Sequence, residues 1–562
     1  MNQGLSTWGG VFLSIGWGFI LALVIYCFSR VLFGKKRKGV VSEEIGGRER
    51  WASRIGLILA MAGNAIGLGN FLRFPVKAAA NGGGAFLIPY FCALIFLGIP
   101  LMWVEWTVGR LGGGHGHGTT PGMFALLWKN PVSKYLGALG ISIPFCIVIY
   151  YTVTESWCLG FAWFSATGKY FGNTSREVMG KFLRGYQGVE SNEFFSSLVP
   201  VLIFLAITLS CNFYFLYKGI SKGIEVLAKI GMPLLFIFAI VLVIRVLTMG
   251  TPDPSHPNWN ISNGMGYFWN PDFSRLGQAS VWLVAAGQIF FTLSLGQGII
   301  QTYASYVREH DDITLSGLST SATNEFAEVV LAGTIAIPVA VAFFGVSETQ
   351  VIAKEGAFNL GFQALPVIFQ KIPLGHIFGG LWFLLLFIAG ITSSVAMTSP
   401  AIAFLEDEFK WKRKKAVLIV FSVLTSCTIL LVIFFKFGVL DELDFWAGTL
   451  ALVFFAAIEV ILFAWVYSVD KGWIEMHKGA DLKVPRMFRF VIKYITPLFL
   501  LTIVIVWTFQ DAIGKFAMKG EEAVRHPYLW GARIVMAVLI LVTIFMVKSA
   551  WKKKKSMQKD KA

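Results

Sequence analysis

Residues 63–75 read GNAIGLGNFLRFP. They lie inside an apolar run, 55–80, that is long enough to cross a bilayer, for which about 20 residues suffice. Gly63, Gly67 and Gly69, with Asn64 and Asn70 among them, interrupt the middle of that helix. In hydrocarbon every unpaired backbone group costs several kcal/mol, so a broken helix survives only where protein or a lined cavity satisfies it. A break at mid-membrane depth therefore points to a site.

Working outward, the composition fixes the class. The chain has 562 residues, 56% of them hydrophobic and only 14% charged, with a mean hydropathy of +0.67. Soluble globular domains carry about 25% charged residues, so this is a polytopic helical membrane protein. The net charge of +16 does not imply nucleic acid, because basic residues cluster beside apolar spans, at 35–38 (KKRK), 410–415 (KWKRKK) and 552–555. That is the positive-inside pattern, which also favours anionic lipid headgroups. The six cysteines lie in apolar spans without paired spacing and predict packing residues rather than a disulfide or metal framework.

A window of about 20 apolar residues predicts about 13 spans, near 8–34, 54–79, 85–110, 135–167, 197–216, 223–248, 280–307, 314–345, 376–405, 415–436, 444–468, 489–512 and 528–550. The first has KKRK after it and no basic residue before it, so it reads as a retained helix with an external N-terminus and not as a signal peptide. Alternation then places the C-terminus in the cytoplasm, in a plasma (inner) membrane. Residues 250–271, rich in proline, read as an external loop, and 349–372 as an external amphipathic segment.

A second interrupted span reads FFTLSLGQG at 290–298. Two Gly-broken helices separated by four spans point to a transporter with inverted repeats and a midplane site; glycine that merely lets helices pack closely is the alternative. Intramembrane Glu105, Glu155, Glu325 and Glu328 are functional candidates by default. Glu105, whose span follows the first break, is a candidate for holding the amides of a broken helix. Asn324 and Glu328, one turn apart, share a face and together suit a hard cation. Thr392, Ser393 and Ser394 either bond back to the preceding turn or, with carbonyls of the first break, complete an oxygen shell for Na⁺.

GNAIGLGNFLRFP, NGGGAFLIPY (81–90), GIPLMWVEW (98–106), QIFFTLSLG (288–296), TYASYVR (302–308), LSGL (315–318), FIAGITSS (387–394), LDFWAGT (443–449) and KVPR (483–486) closely resemble the neurotransmitter:sodium symporter family. The resemblance runs from about residue 48 to the last span. It implies an all-α LeuT-like fold of two inverted five-helix repeats with discontinuous helices (46–250 and 251–470). Two C-terminal helices and a basic tail (471–562) follow, and an extra N-terminal helix (1–45) precedes.

What the resemblance implies for function is sodium-coupled symport of a neutral α-amino acid by alternating access. Two Na⁺ ions are implied. One takes the Ala65 carbonyl, the Asn70 and Asn324 side chains, the Thr292 carbonyl and hydroxyl, and the substrate carboxylate. The other takes carbonyls of Gly63, Ile66 and Ala389 with the hydroxyls of Thr392 and Ser393. The substrate carboxylate meets the amides around Gly67, Leu68 and Gly69 and the Tyr151 hydroxyl; its ammonium meets carbonyls at Ala65, Phe291 and Thr292. Helix-end dipoles of these signs fit a zwitterion.

Gly67 stands where monoamine carriers of the family have an aspartate, so the substrate is expected to bring its own carboxylate. Glu328 stands where chloride-dependent members have serine, which implies chloride independence. The side-chain pocket is implied to comprise Ile147, Tyr151, Phe291, Ser294, Gln297, Ser393 and Met397. Leucine-carrying members have an aromatic residue at Gln297, valine at Ile147 and isoleucine at Met397. A buried glutamine facing an apolar substrate loses about 1–3 kcal/mol, which directs expectation from leucine to a polar or smaller amino acid; in the alternative, Gln297 bonds to backbone at the break.

Arg73 and Asp444 match an external gate, with Tyr151 and Phe291 closing over the substrate. Arg48 and Asp407, with Trp51, Ser305 and Tyr306 nearby, match an internal one. No catalytic motif such as HExxH, GxSxG or Walker A is present, so an enzyme is not expected. A non-transporting amino-acid sensor or a channel on the same fold is the rival reading. The glycine-rich GGGHGHG at 112–118 reads as a flexible loop. Membrane lipid and an amino acid are the expected partners, nucleic acid is not, and a homodimer stays open.

Overall fold

An apolar segment in hydrocarbon must pair each backbone N–H and C=O within itself, and the α-helix does so. The computed structural model describes residues 4–33 and 49–559, and among these every regular element is helical. The spans are α1 (Thr7–Phe33), the bent pair α2 (Arg54–Ala65) and α3 (Gly69–Ala80), α4 (Gly84–Gly114), α5 (Ser133–Thr167), α6 (Val199–Lys218) and α7 (Ile220–Leu247). The short α8 (Ile261–Trp269) precedes the second interrupted pair, α9 (Ala279–Thr292) and α10 (Ile299–Ala304). Then come α11 (Ile313–Glu355), α12 (Gly375–Phe409), α13 (Arg413–Phe437), α14 (Val439–Val466), α15 (Met487–Gln510) and α16 (Ala523–Lys554).

Among the described residues eleven helices are long and apolar enough to span a membrane, and the bent α2–α3 pair makes a twelfth. The thirteenth expected span is α9 with α10, which its interruption divides into two short helices. Gly345, at φ 74 and ψ 168, breaks α11 where the expected span ends. The segment 250–271 differs from the expected loop. Asn260 caps α8, its side-chain oxygen accepting from the Asn263 N–H at 2.8 Å, so a helix forms despite the prolines upstream. The GGGHGHG segment is also more anchored than expected: His117 Nδ1 lies 3.0 Å from Glu408 Oε1 and its ring stacks on Trp551.

The two interruptions lie at the centre of the packing. α2 is surrounded by α7, α11 and α12, α4 packs along α9, α10 and α11, and α12 lies along α5. Ser53 starts α2 by accepting from the Gly56 N–H at 3.1 Å, and Glu225 of α7 accepts from the Ala52 N–H at 2.8 Å and the Ser53 hydroxyl at 2.6 Å.

The extra helix α1 lies on α11 and α8 along a narrow stripe of Gly9, Gly16, Ile20 and Cys27, its remaining faces largely exposed. Its N-terminal end is pinned: Asn270 Oδ1 accepts from the Ser6 N–H and hydroxyl, both at 2.9 Å, and Asn270 Nδ2 donates to the Gly4 carbonyl at 3.1 Å. A Cβ on Gly9 would stand 2.0 Å from Asn270 Oδ1. Gly9→Leu is therefore expected to displace Asn270 and weaken the docking of α1 by about 1–3 kcal/mol. Maleimide labelling of Cys27, which is buried in the wild type, read by peptide mass spectrometry, checks this: faster labelling is expected, and an unchanged rate contradicts it.

Candidate functional site

Each break leaves backbone groups that the helix no longer pairs, and the surrounding side chains take them up. α2 ends at Ala65, Ile66 turns to an extended conformation (φ −79, ψ 92), and α3 resumes at Gly69 at an angle of 44°. The Leu68 N–H donates to the Tyr151 hydroxyl at 2.9 Å and the Gly67 N–H to Asn70 Oδ1 at 2.9 Å. A Cβ on Gly67 would stand 2.6 Å from the Tyr151 hydroxyl and 2.8 Å from Ser393 Oγ, so only glycine lets these groups approach the chain. In the second break, Ser294, Gly296 and Gly298 have φ of 55°, 71° and 72°, conformations that favour glycine. The Gly296 N–H donates to Glu105 Oε1 at 2.7 Å. Glu105 thus reaches the second break and not the first, which its span follows in the chain.

The expected first ion site is assembled from four helices. Asn70 is fully buried, and its Nδ2 donates to Thr292 Oγ1 at 2.9 Å, Asn324 Oδ1 at 2.8 Å and Glu328 Oε2 at 2.9 Å. Gln288 Nε2 donates to Glu328 Oε1 at 2.7 Å, and the Thr292 hydroxyl donates to Glu328 as well. Asn324 Oδ1 also faces the carbonyl oxygens of Thr292 at 3.2 Å and Ala65 at 3.3 Å. Oxygens so close repel one another unless a hard cation lies among them or the amide turns its NH₂ inward to bridge the two carbonyls. Glu325, next in chain, accepts from the Tyr90 hydroxyl at 2.8 Å.

At the expected second ion site, Ser393 Oγ lies 3.3 Å from the Gly63 carbonyl oxygen, 3.1 Å from that of Asn64 and 3.1 Å from that of Ala389. The Thr392 hydroxyl donates to the Ile388 and Ala389 carbonyls, both at 3.1 Å. The hydroxyls thus bond back along α12 while facing α2 across the break.

Between the two clusters is a cavity that, with its side chains closed in, encloses only about 10 Å³, about the space of one water. All the expected substrate contacts line it except Leu68 and Thr292, and Asn64 and Asn70 join them. Leu68 instead lines a vestibule of about 1000 Å³, from which Tyr151 and Phe291 divide the cavity.

A sequence model of the sodium:neurotransmitter symporter family matches residues 48–177 and 182–555. The chain belongs to this family. A sodium-dependent transporter of Methanocaldococcus jannaschii is 30% identical over 515 residues, 89% of this chain and 98% of the relative. The sodium-dependent serotonin transporter of Drosophila melanogaster is 27% identical over 521 residues, 87% of this chain and 80% of that one. The structure of MhsT in complex with L-phenylalanine superposes with a TM-score of 0.69 at 30% identity, covering 82% of this chain and 99% of MhsT. The fold is the LeuT-like fold, and the protein is a multi-pass, sodium-coupled membrane transporter and not an enzyme.

The symporter's expected gates are distributed as follows. Arg73 lies over the Phe291 ring, 4.2 Å from its centroid, while Asp444 accepts from the Tyr150 hydroxyl at 2.7 Å. The two line the same vestibule, each beside an aromatic neighbour, and no ion pair joins them. At the opposite end Trp51 Nε1 donates to the Tyr303 carbonyl at 3.1 Å, and Trp51 and Tyr306 line a smaller pocket of about 190 Å³. Asp407 is buried near the end of α12. Arg48 falls outside the described residues.

Several residues around this symporter's centre lie outside the expected site. Gln288 stands one turn before Thr292, a spacing that puts both on one face. Asn64 was noticed only as a helix breaker. Glu459, which accepts from Gln301 Nε2 at 2.7 Å with both oxygens, is an intramembrane acid of the kind that picked out Glu105.

Glu105→Ala strands the Gly296 N–H, and a buried donor left unpaired costs about 1–3 kcal/mol. Glu105→Gln keeps an acceptor at the same place. Thermal unfolding in detergent is expected to fall for alanine and to be largely restored by glutamine; equal losses in the two variants contradict the assignment.

Proposed function

We propose that this transporter carries a neutral α-amino acid together with two Na⁺ ions, by alternating access and without a requirement for chloride. The observation that carries this reading is the setting of Gly67. The Tyr151 hydroxyl and Ser393 Oγ crowd the position where its Cβ would lie, leaving no room for a side-chain carboxylate from this residue. The negative charge that the site's amides and cations call for is then the substrate's own. The L-phenylalanine complex of MhsT supports the same substrate class.

The two oxygen clusters are the proposed Na⁺ sites. The first takes Ala65, Asn70, Thr292 and Asn324; the second takes Gly63, Ile66, Ala389, Thr392 and Ser393. Coupling follows from the Asn70 amide. A cation in the first cluster needs the amide oxygen where Nδ2 now stands, and turning the amide withdraws Oδ1 from the Gly67 N–H. That N–H is then free for the substrate carboxylate, so ion and substrate each favour the state that binds the other. Glu328, beside the cluster, supplies a fixed negative charge in place of chloride. The basic clusters beside the spans support a plasma-membrane orientation with the N-terminus outside and the C-terminus in the cytoplasm.

Uptake of labelled amino acids into proteoliposomes under an inward Na⁺ gradient tests the function. Uptake is expected to persist when gluconate replaces chloride; strict chloride dependence would overturn the role given to Glu328. Glu328→Ser is expected to make uptake chloride-dependent. Asn324→Ala and Thr392→Ala, one at each cluster, are each expected to raise the Na⁺ concentration for half-maximal substrate binding by about tenfold or more, as the loss of one charge-assisted ligand implies. A Na⁺ response unmoved in either variant contradicts the corresponding site.

A further inference from the structure

The cavity contains two side-chain amides that the protein leaves uncommitted. Gln297, on the second break, is 2% exposed, and no group of the protein pairs with its Oε1. Asn64, on the first break, is also 2% exposed, and neither its Nδ2 nor its Oδ1 has a partner. Both line the cavity. The other polar groups there are engaged: the Tyr151 hydroxyl accepts from Leu68, the Ser294 and Ser393 hydroxyls lie on the Asn64 carbonyl at 3.1 Å each, and Asn70 is bonded through both amide atoms. The cavity lining carries no charged side chain.

Native interiors rarely leave a buried amide oxygen unpaired; here those of Gln297 and Asn64, one on each break, and the Asn64 Nδ2 as well, have no partner, which makes a polar receptor waiting for a ligand. We propose that the carried amino acid has an uncharged hydrogen-bonding side chain, an amide or a hydroxyl, received by Gln297 together with Asn64. This rests on the reading of the cavity as an amino-acid site and deepens it. An amide side chain presents donors to Gln297 Oε1 and Asn64 Oδ1 and an acceptor to Asn64 Nδ2; a hydroxyl satisfies fewer of them. An apolar side chain would bury both amides unpaired, and sites built to hydrogen-bond a substrate discriminate strongly against the analogue that cannot. A charged side chain would find no counter-charge. Ile147 and Met397, on the same cavity, supply the apolar wall for the methylene stem.

The test uses pairs of amino acids of similar shape on the purified full-length transporter in Na⁺: L-glutamine against L-methionine, L-asparagine against L-leucine, L-threonine against L-valine. Binding is read by Na⁺-dependent thermal stabilisation and by competition. The polar member of at least one pair is expected to bind about tenfold or more tightly, and Gln297→Met, close in shape to the wild type, is expected to erase or invert that ratio. Preference for the apolar member in all three pairs overturns the proposal, and so does a ratio unchanged in Gln297→Met. The wild-type panel decides even where the variant does not fold. Absence of Na⁺-dependent stabilisation by any of the twenty amino acids overturns the amino-acid reading of the cavity as well.

Discussion

A peptide group with no hydrogen-bond partner cannot persist in hydrocarbon, and this chain leaves two such stretches in the middle of its helices. The Leu68 N–H, at the first, is taken by the Tyr151 hydroxyl; the Gly296 N–H, at the second, by the Glu105 carboxylate. Those two bonds tie the first break to α5 and the second to α4, so the helices around the breaks are arranged to complete a backbone that cannot complete itself. Much of the surrounding packing serves the same need. The hydroxyls of Ser294 and Ser393 meet carbonyls of α2.

The same atoms that satisfy the breaks are suited to hold cargo. A carbonyl freed from a helix offers a lone pair at a fixed place, and a freed N–H offers a donor; neither requires a side chain to be ordered on binding. The carbonyl oxygens of Thr292 and Ala65 stand 3.2 Å and 3.3 Å from Asn324 Oδ1, a spacing that favours a small cation. In the proposed cycle the substrate replaces Asn70 at the Gly67 N–H once an ion has turned that amide. Binding then exchanges one satisfied arrangement for another and leaves no peptide group stranded.

The first break is legible because it violates an expectation at a single glance: glycine and asparagine inside an apolar run long enough to span. The second is weaker but carries the same signature, and the motifs around both are specific enough to imply the family that the comparison with known proteins establishes. What stayed hidden is what three dimensions decide. Glu105 lies in the span that follows the first break and bonds to the second, because α4 packs along α9 and α10. Arg73 and Asp444 match a gate by position, yet Arg73 lies over the Phe291 ring and Asp444 accepts from the Tyr150 hydroxyl. Asn64 reads as punctuation, since nothing in a sequence says that an asparagine lines a cavity with its amide unpaired while its carbonyl holds two hydroxyls. The helix at 261–269 was masked by prolines that precede its cap.

The buried glutamates sort by partner, and the sorting bears on the ion. Glu225 meets Lys229 at 2.7 Å, Glu408 meets Lys554 at 2.7 Å, and Glu442 meets Arg533 at 2.5 Å. These carry their counter-charges with them and fasten helix ends. Among the described residues, Glu105, Glu155, Glu325, Glu328 and Glu459 are held by neutral donors only: a backbone N–H, the amides of Asn70, Asn212, Gln288, Asn324 and Gln301, and the hydroxyls of Tyr90 and Thr292. Intramembrane acids are costly unless something answers their charge. A lysine or arginine placed there would do so permanently, and the site would then have no use for a dissolved cation. Leaving Glu325 and Glu328 beside an oxygen cluster without a resident positive charge makes the counter-charge exchangeable, a condition that suits the proposed coupling of a sodium gradient to a zwitterionic substrate with no net charge of its own.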